Sequence, residues 1–167
     1  MTTDRLQLRR VTLDDAEFML RLLNEPSFIQ NIGDRDVRSV EQARAYLANG
    51  PLTANTDSGL GLWVIELKDS GEVIGICSLL KREVLDHVDI GYALLPRYWS
   101  KGYALEAVKR TIEYVKNSLG LDRLAAIVNE DNESSIRLLE KLGFRFEKMI
   151  RLNDEVAEIQ LFLSDRL

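Results

Sequence analysis

The residues just before and after position 100 have the composition of a phosphate-binding turn. Pro96 closes a predicted strand, and a helix is predicted to begin a few residues later. Gly102 and Ala104 have no bulky side chain, and Lys101 adds positive charge beside them. The first N–H groups of a helix have no partner within it and favour an anion. The segment therefore predicts a phosphate site, although an ordinary strand-to-helix turn would use the same residues.

Other side chains suited to catalysis lie on the strands before this turn. Glu83 and Asp89 are candidates for a general base, and a structural ion pair with an arginine is the alternative for Asp89. His87, the single histidine, is a further candidate, or a turn residue. Cys77, the single cysteine, is typical of a small buried side chain. With one residue of each type, we predict neither a disulfide framework nor a metal site.

Composition limits the classes of protein that this chain can belong to. It has 167 residues, 46% of them hydrophobic and 29% charged, which is enough for one packed domain over residues 1–167. The net charge of −5 argues against general binding of nucleic acid, although residues 97–116 carry a local excess of positive charge. The longest apolar run has five residues and no signal sequence is seen, so we predict no membrane span and a cytoplasmic location.

The hydrophobic pattern predicts an α/β fold. Alternating or fully apolar runs indicate strands, and apolar residues three and four apart indicate helices, most clearly over 103–119. The predicted order is β-α-α-β-β-β-α-β-α-β-β. The strands are predicted over 6–11, 62–67, 73–80, 87–95, 123–128, 144–150 and 156–163. Helices are predicted before Pro26, from Ser39, over 103–119 and over 134–142, with a closing turn at 153–155.

Two long motifs resemble those of the GNAT N-acetyltransferase superfamily. Residues 89–107 (DIGYALLPRYWSKGYALEA) resemble its acetyl-CoA-binding motif, and residues 132–144 (NESSIRLLEKLGF) resemble the helix that follows. Their details, with the start RLQLRR at 5–10, look most like the RimJ/RimL branch, which acetylates N-termini of ribosomal proteins. The resemblance implies a GNAT-like mixed, mostly antiparallel sheet flanked by helices, with acetyl-CoA as co-substrate.

The resemblance also implies which residues bind the co-substrate. The family's pyrophosphate loop corresponds to residues 99–104, where Trp99 replaces the usual glutamine or arginine. A serine stands where the family often has a glycine, so we expect a negative φ there. The backbone of the strand end and an asparagine are implied to hold the pantetheine arm, the asparagine being equally suited to cap a helix. The implied cofactor-binding residues are Leu94, Leu95, Ser100, Lys101, Gly102, Tyr103, Ala104 and Asn132.

For catalysis, the resemblance implies direct attack of a neutral amine on the acetyl thioester. Many family members have a tyrosine acid where this chain has Leu139, and Ser135 resembles the alternative used in the RimL branch, or a helix cap. Asp89 stands where relatives often carry a glutamate base. Because neutralising an α-amine at pH 7 costs about 1–1.4 kcal/mol and a lysine about 4–5, a modest base suits an α-amine.

The acceptor is expected to be selected by the least patterned segments, residues 26–33 and 51–59, with Phe28 and Asn31 as candidate contacts. Three functions stay open at this point. The first is acetylation of a protein or peptide N-terminal amine, and the second is acetylation of a small amine such as a polyamine, an amino acid or an antibiotic. The third is a CoA-binding module without catalysis. Under each of these functions we expect the chain to act as a monomer or a homodimer.

Overall fold

The computed structural model describes residues 1–53, 58–153 and 157–167. Helices and strands follow one another along the chain in the predicted order, with one helix more than expected. Their bounds are β1 Leu6–Arg10, α1 Ala16–Leu23, α2 Pro26–Ile32, α3 Val40–Asn49, β2 Gly61–Leu67, β3 Val73–Leu80, β4 Val88–Leu94, α4 Tyr103–Tyr114, β5 Leu124–Val128, α5 Glu133–Lys141, β6 Phe144–Ile150 and β7 Ile159–Ser164.

Seven strands of the described residues form one sheet in the order β1-β2-β3-β4-β5-β7-β6. All neighbouring strands are antiparallel except β4 and β5, which are parallel. The predicted mixed, mostly antiparallel sheet flanked by helices is therefore confirmed. The parallel pair is joined by α4, because a parallel connection must cross over the sheet.

The parallel pair is held together at one end only. Its register consists of Val88 opposite Leu124 and Asp89 opposite Ala125. Beyond these two pairs β4 runs on to Leu94 and β5 to Val128, yet the two strands no longer pair. The sheet therefore opens into a V-shaped gap between β4 and β5.

Helix α4 covers one face of the sheet. Cys77 on β3 has its Sγ 3.4 Å from the Thr111 hydroxyl of α4. Trp63, opposite Cys77 in the register, packs its ring edge-on against Tyr114 at the end of α4. Because side chains alternate along a strand, Ile76 on β3 faces the other side. These contacts place the buried side chains of β2 and β3 under α4 on this face.

The opposite face carries the N-terminal helices. Arg9 on β1 sends its guanidinium to Asp15, which immediately precedes α1. Helix α1 buries Phe18, Met19 and Leu22 and packs against α3. Each face of the sheet is thus covered by helices. The gap between β4 and β5 connects the space on one face with the space on the other.

Helix α2 is the main departure from the predicted order. Its seven residues follow directly after α1, and Pro26 occupies the first turn, where its missing N–H costs nothing. The long predicted helix 103–119 is α-helical to Tyr114 and ends in a π-helical turn, Val115–Leu119. Residues 54–57 of the predicted 51–59 loop, and 154–156 around the predicted closing turn, lie outside the described residues. Among those that are described, no helix is long and apolar enough to cross a membrane.

The chain turns from β1 into α1 around a buried carboxylate. Asp15 is 5% exposed and accepts two hydrogen bonds from Arg9, at 2.8 and 2.9 Å, and one from the Thr12 N–H at 2.8 Å. Burial by itself would raise the pKa of Asp15, but the hydrogen bonds from Arg9 and Thr12 outweigh it and lower the pKa. The carboxylate therefore stabilises the fold most when it is ionised.

We predict that Asp15→Asn lowers the free energy of unfolding by about 1–3 kcal/mol at pH 7, because Arg9 loses a charged acceptor. Since the pKa is lower in the folded state, this stabilisation is present above the unfolded pKa of about 3.9 and is lost as pH falls through the folded value. Urea unfolding at pH 7 and at decreasing pH measures both effects. Asp14→Asn, a change at an exposed neighbour, is the control. Equal stability of the two variants at pH 7 would contradict the role given to Asp15.

Candidate active site

A cavity of about 1620 Å³ passes through the gap between β4 and β5. One half lies on the side of the N-terminal helices and is lined by residues of α2, α3 and β3. The other half lies beside the turn at 99–104, α4 and α5. Both Asp89 at the apex of the gap and Leu94 at the end of β4 line it. The cavity therefore offers two binding regions that meet at the gap.

The turn at 99–104 presents backbone N–H groups to this cavity. Gly102 is the N-cap of α4 with φ +81°, and its carbonyl accepts the helix bond from the Glu106 N–H at 3.0 Å. No side chain of the described residues caps this helix. Because a helix leaves its first N–H groups unpaired, those of the first turn of α4 are available to an anion. Gly102, Tyr103 and Ala104 line the cavity, as expected.

Ser100 corrects one expectation from the sequence. Its φ is +58°, in the left-handed region, whereas a serine predicted a negative value. A single non-glycine residue can adopt this conformation at a cost of roughly 1–2 kcal/mol when its surroundings impose it. Ser100 lines the cavity, and with Gly102 it gives two left-handed residues on either side of Lys101. The serine thus takes the backbone shape that a glycine would take.

Two side chains outside the predicted set hold this turn in place. Trp99 donates from Nε1 to the carbonyl of Leu94 at 2.9 Å, which fixes the turn to the end of β4. Arg5 donates to the carbonyl of Lys101 at 3.0 Å and pairs with Glu106 of α4 at 2.6 Å. The Arg5 guanidinium also lies 4.4 Å from the centre of the Tyr103 ring. The sequence showed a tryptophan at the turn, but nothing in it linked residue 5 to residue 101.

Lys101 itself is exposed and is not among the residues that line the cavity. Its ammonium lies 5.5 Å from the centre of the Tyr98 ring. The structure therefore places Lys101 beside the turn, where it can raise the local positive potential without direct contact.

The end of β4 offers a free backbone edge to the gap. The N–H of Leu95 donates to Ile74 on β3 at 3.0 Å. Because N–H groups alternate between the two sides of an antiparallel strand, those of Tyr92 and Leu94 point away from β3 and into the gap. An extended ligand can pair with this edge as an added strand would.

Leu95, also predicted to contact the ligand through its backbone, does not share this property, because both of its backbone polar groups have partners within the protein. Its N–H is used by β3, and the Leu95 carbonyl accepts from the Tyr98 N–H at 2.9 Å. Leu95 is also absent from the residues that line the cavity. The strand has one free N–H at its end, that of Leu94, because the chain turns away from the gap at Pro96.

Helix α5 forms the wall opposite this edge. Asn132 is its N-cap and accepts from the Ser135 N–H at 3.2 Å, so the capping alternative is observed. The cap uses the side-chain oxygen, and the amide nitrogen is still able to donate to a ligand. Ser135 lines the cavity, as does Leu139, which is 1% exposed and brings only carbon atoms.

Asp89 lies at the apex of the gap and is 3% exposed. One of its oxygens accepts from Arg82 Nε at 2.7 Å, and the other has no hydrogen-bond partner among the described residues. Burial raises the pKa of Asp89, and the Arg82 hydrogen bond only partly offsets it. The Ile127 N–H also favours the charged form, although it lies outside hydrogen-bond geometry. The predicted ion pair is thus present, and one oxygen is still unused.

The other candidates from the sequence separate into two groups. Phe28 and Asn31 of α2 both line the half of the cavity beside the N-terminal helices, with Asn31 donating to the Ser27 carbonyl at 2.9 Å. Glu83 and His87 are not among the lining residues. Cys77 is fully buried, and burial raises the pKa of its thiol to about 11, which keeps it uncharged and unreactive. No cluster of metal-ligating side chains is found within the described ranges.

The site therefore combines three features. The turn at 99–104 with the first N–H groups of α4 forms an anion-binding cradle, the end of β4 provides a free strand edge, and α5 provides the hydroxyl of Ser135. A molecule with a diphosphate and an extended amide arm fits this sequence of groups. An added Cβ at Gly102 would already lie 3.3 Å from the Arg5 guanidinium, so the cradle depends on the absence of a side chain. The far end of the arm would reach the gap, beside Asp89 and the second half of the cavity.

Comparisons with known proteins agree with this geometry. The family model described as acetyltransferase (GNAT) domain matches residues 5–145. A Bacillus subtilis protein described as uncharacterized N-acetyltransferase YoaA is 33% identical over 152 residues, which is 90% of this chain and 85% of that protein. Among solved structures, a ribosomal-protein-S5-alanine acetyltransferase from Vibrio fischeri aligns with TM-score 0.82 at 20% identity, over 99% of this chain and 96% of that one.

A spermidine N-acetyltransferase from Vibrio cholerae, solved with CoA and spermine, aligns with TM-score 0.78 at 18% identity, over 96% of this chain and 95% of that one. At this identity the two structural matches establish the shared fold. The family match covers most of the chain. The chain therefore belongs to the GNAT family of acetyltransferases and is an N-acetyltransferase that uses acetyl-CoA.

Proposed function

We propose that this enzyme transfers the acetyl group to the α-amine at the N-terminus of a protein or peptide, as in the RimJ/RimL branch. The observation that carries the proposal is the base at the gap. Among the described residues lining the cavity, Asp89 is the carboxylate at the apex, and it is shared with Arg82. Such a carboxylate is a modest base, which matches an α-amine better than a lysine side chain.

The charge of the cavity also favours this acceptor over a polyamine. In the half beside the N-terminal helices, the described lining residues include two carboxylates, Asp36 and Asp89, balanced by two arginines, Arg35 and Arg82. A polyamine carries several positive charges, so a site for it would be expected to present an excess of carboxylates. A peptide N-terminus has one positive charge next to carbonyl oxygens, which arginine can bind.

The polyamine remains the second candidate because of one relative. The spermidine N(1)-acetyltransferase of Escherichia coli is 33% identical over 78 residues, but these are only 46% of this chain and 42% of that enzyme. A ribosomal-protein-serine acetyltransferase from Vibrio cholerae aligns structurally over 97% of this chain at 22% identity, with TM-score 0.79. The names of relatives thus point both ways, and the charge of the cavity favours the N-terminal amine.

In the proposed mechanism the protein acts mainly by positioning. The N–H groups around Gly102 and Ala104 hold the diphosphate, and the Leu94 N–H and the Asn132 amide hold the pantetheine arm. The Tyr92 N–H points into the gap, where it can polarise the carbonyl of the thioester. Holding both reactants in this way removes much of the entropic barrier to the reaction.

In this proposal Asp89 acts on the attacking nitrogen and Ser135 acts on the departing sulfur. The free oxygen of Asp89 accepts a proton from the ammonium group of the acceptor, aided by the raised pKa of this carboxyl, and the neutral amine so formed attacks the thioester. Ser135, on the opposite wall, donates a hydrogen bond towards the departing sulfur. Phe28 and Asn31 on α2 contact the acceptor on its side of the gap.

We predict that Gly102→Val lowers the affinity for CoA at least about tenfold, because the branched side chain blocks the N–H groups that hold the diphosphate. Calorimetric titration with CoA measures the effect. Gly71→Val is the matched control, since Gly71 also has a positive φ, +71°, with nothing within 4 Å of an added Cβ. If both variants bind CoA like the parent chain, Gly102 is not part of the cradle.

We predict that Ser135→Ala lowers kcat about tenfold or more while the Kd for CoA changes little, because the hydroxyl acts on charge that develops during the reaction. Ser134→Ala is the control, since the Ser134 hydroxyl bonds to Asn132 at 3.1 Å and serves the cap. Equal losses of kcat in the two variants would mean that Ser135 serves the helix cap and has no role in catalysis.

We predict release of free CoA thiol with N-terminal peptides, and at least about tenfold lower kcat/KM with spermidine or with peptides whose α-amine is blocked but whose lysine is free. The reason is the cost of neutralising a lysine or polyamine nitrogen, about 4–5 kcal/mol at pH 7. A panel of peptides that differ in their first residue identifies the preferred N-terminus. Turnover with polyamines alone would overturn the proposed acceptor and leave the acetyltransferase assignment intact.

A further inference from the structure

Tyr92 places a phenol beside the gap that the mechanism above does not use. It lies on β4 beyond the last residue pair with β5, opposite Cys77 in the β3–β4 register. It therefore shares the face covered by α4, and its hydroxyl donates to the carbonyl of Ser135 in the first turn of α5, at 3.4 Å. The phenol spans the space between the free edge of β4 and α5, and it lines the cavity.

The hydrogen bond that Tyr92 makes is a weak one. A donor–acceptor distance of 3.4 Å lies beyond the usual range for a hydroxyl donor. The Ser135 carbonyl also lies within helix α5, where the helix ladder already provides it with a donor four residues on. The phenolic proton can therefore be given to a better acceptor close by without leaving a buried carbonyl unpaired.

The position of this phenol matters because Leu139, which stands where many family members have a tyrosine, has no hydroxyl to offer. Four tyrosines are among the described residues that line the cavity. Tyr98 and Tyr103 pack against each other beside the turn at 99–104, and Tyr46 belongs to α3 on the opposite face of the sheet. Tyr92 is the one of the four with a hydrogen bond to α5, on the wall that also carries Ser135.

We propose that Tyr92 is a catalytic residue whose hydroxyl, together with that of Ser135, donates a hydrogen bond to the sulfur atom of the thioester as the carbon–sulfur bond breaks. The amine nitrogen forms its bond to the acetyl carbon, and the electron pair of the broken bond stays on sulfur as a thiolate. The proton lost by the amine passes through Asp89 to solvent, and solvent returns one to the thiolate. Atoms and charge balance with no further reactant.

The phenol acts as a hydrogen-bond donor and keeps its own proton. Burial raises the pKa of Tyr92 to about 12, with the neighbouring Ser135 offsetting only part of the effect. A free thiol has a pKa of about 8.5, so full transfer from the phenol to the thiolate would be unfavourable by ~10³-fold. A donated hydrogen bond stabilises the same charge at no such cost.

The inference rests on acetyl transfer from acetyl-CoA and does not depend on which amine accepts the group. It can be tested with CoA alone, by titrating the ultraviolet absorbance of the bound thiolate against pH. A hydrogen bond from Tyr92 lowers the pKa of the bound thiol, so Tyr92→Phe should raise it by about one unit. The same variant should lose about 10- to 100-fold in kcat, with the Kd for CoA nearly unchanged.

Tyr114→Phe is the matched control. The Tyr114 hydroxyl donates to the Gly59 carbonyl at 3.1 Å and does not line the cavity. This variant should leave both the thiol pKa and kcat as they are. A fall in kcat for Tyr92→Phe without a change in the thiol pKa would mean that Tyr92 only positions Ser135, and it would overturn the proposal.

If Tyr92→Phe does not fold, a fluorinated tyrosine incorporated at position 92 provides a second test. It keeps the ring and its packing but makes the hydroxyl a stronger donor, so the bound thiol should titrate at lower pH. An unchanged thiol pKa would reject the inference. Calorimetric titration with CoA in each variant shows separately whether the co-substrate still binds, so a failure of the cradle is distinguished from a failure of Tyr92.

Discussion

The short pairing between β4 and β5 is the constraint on which this enzyme depends. Two residue pairs, ending at Asp89 and Ala125, hold the parallel strands together before they separate. Buried backbone groups must find partners, so an opened sheet that is not closed by its own strand needs another occupant. Here the pantetheine arm can take the place of the missing ladder along β4. Separation of the strands therefore creates the free strand edge and the passage that the proposed mechanism assigns to acetyl-CoA and to the amine.

The cradle for the diphosphate requires support from residues that do not touch the ligand. Two left-handed residues, Ser100 and Gly102, cost conformational free energy, and the serine costs more than a glycine would. Trp99 ties the turn to β4, and Arg5 ties it to Glu106 and to the carbonyl of Lys101. Because Arg5 is about half exposed, its ion pair with Glu106 alone stabilises the turn little. The stabilisation comes from this ion pair together with the other contacts of Arg5. The turn is therefore held in its binding shape before the ligand arrives.

Periodicity predicted the elements whose surroundings are regular and missed those set by distant contacts. Strands β3 and β6 have the predicted bounds, and β3 lies inside the sheet, where its apolar residues meet a neighbouring strand on each side. Helix α2 was missed because its seven residues carry a single buried side chain, Phe28, and no amphipathic stripe. The positive φ of Ser100 was missed because the expectation was drawn from the serine itself, although the glycine that the family often has there is typical of the left-handed region. Leu95 was misplaced because the partner of its N–H is decided by the strand register and by the turn at Pro96.

The two sides of the gap differ in whether backbone groups or side chains line them. This difference explains why the sequence predicted the acetyl-CoA side in more detail than the acceptor side. The acetyl-CoA side uses backbone N–H groups, which need glycine, small residues and a helix start at fixed spacing, so it leaves a motif. The proposed acceptor side is lined by side chains of α2, α3 and β3, whose identity can change without altering the backbone. Asp89 stands between them, with one oxygen bonded to Arg82 and the other without a hydrogen-bond partner among the described residues. A carboxylate held in this way suits an amine that is easily deprotonated, so we propose that the choice of acceptor begins at the apex of the gap, before any side chain of the acceptor is recognised.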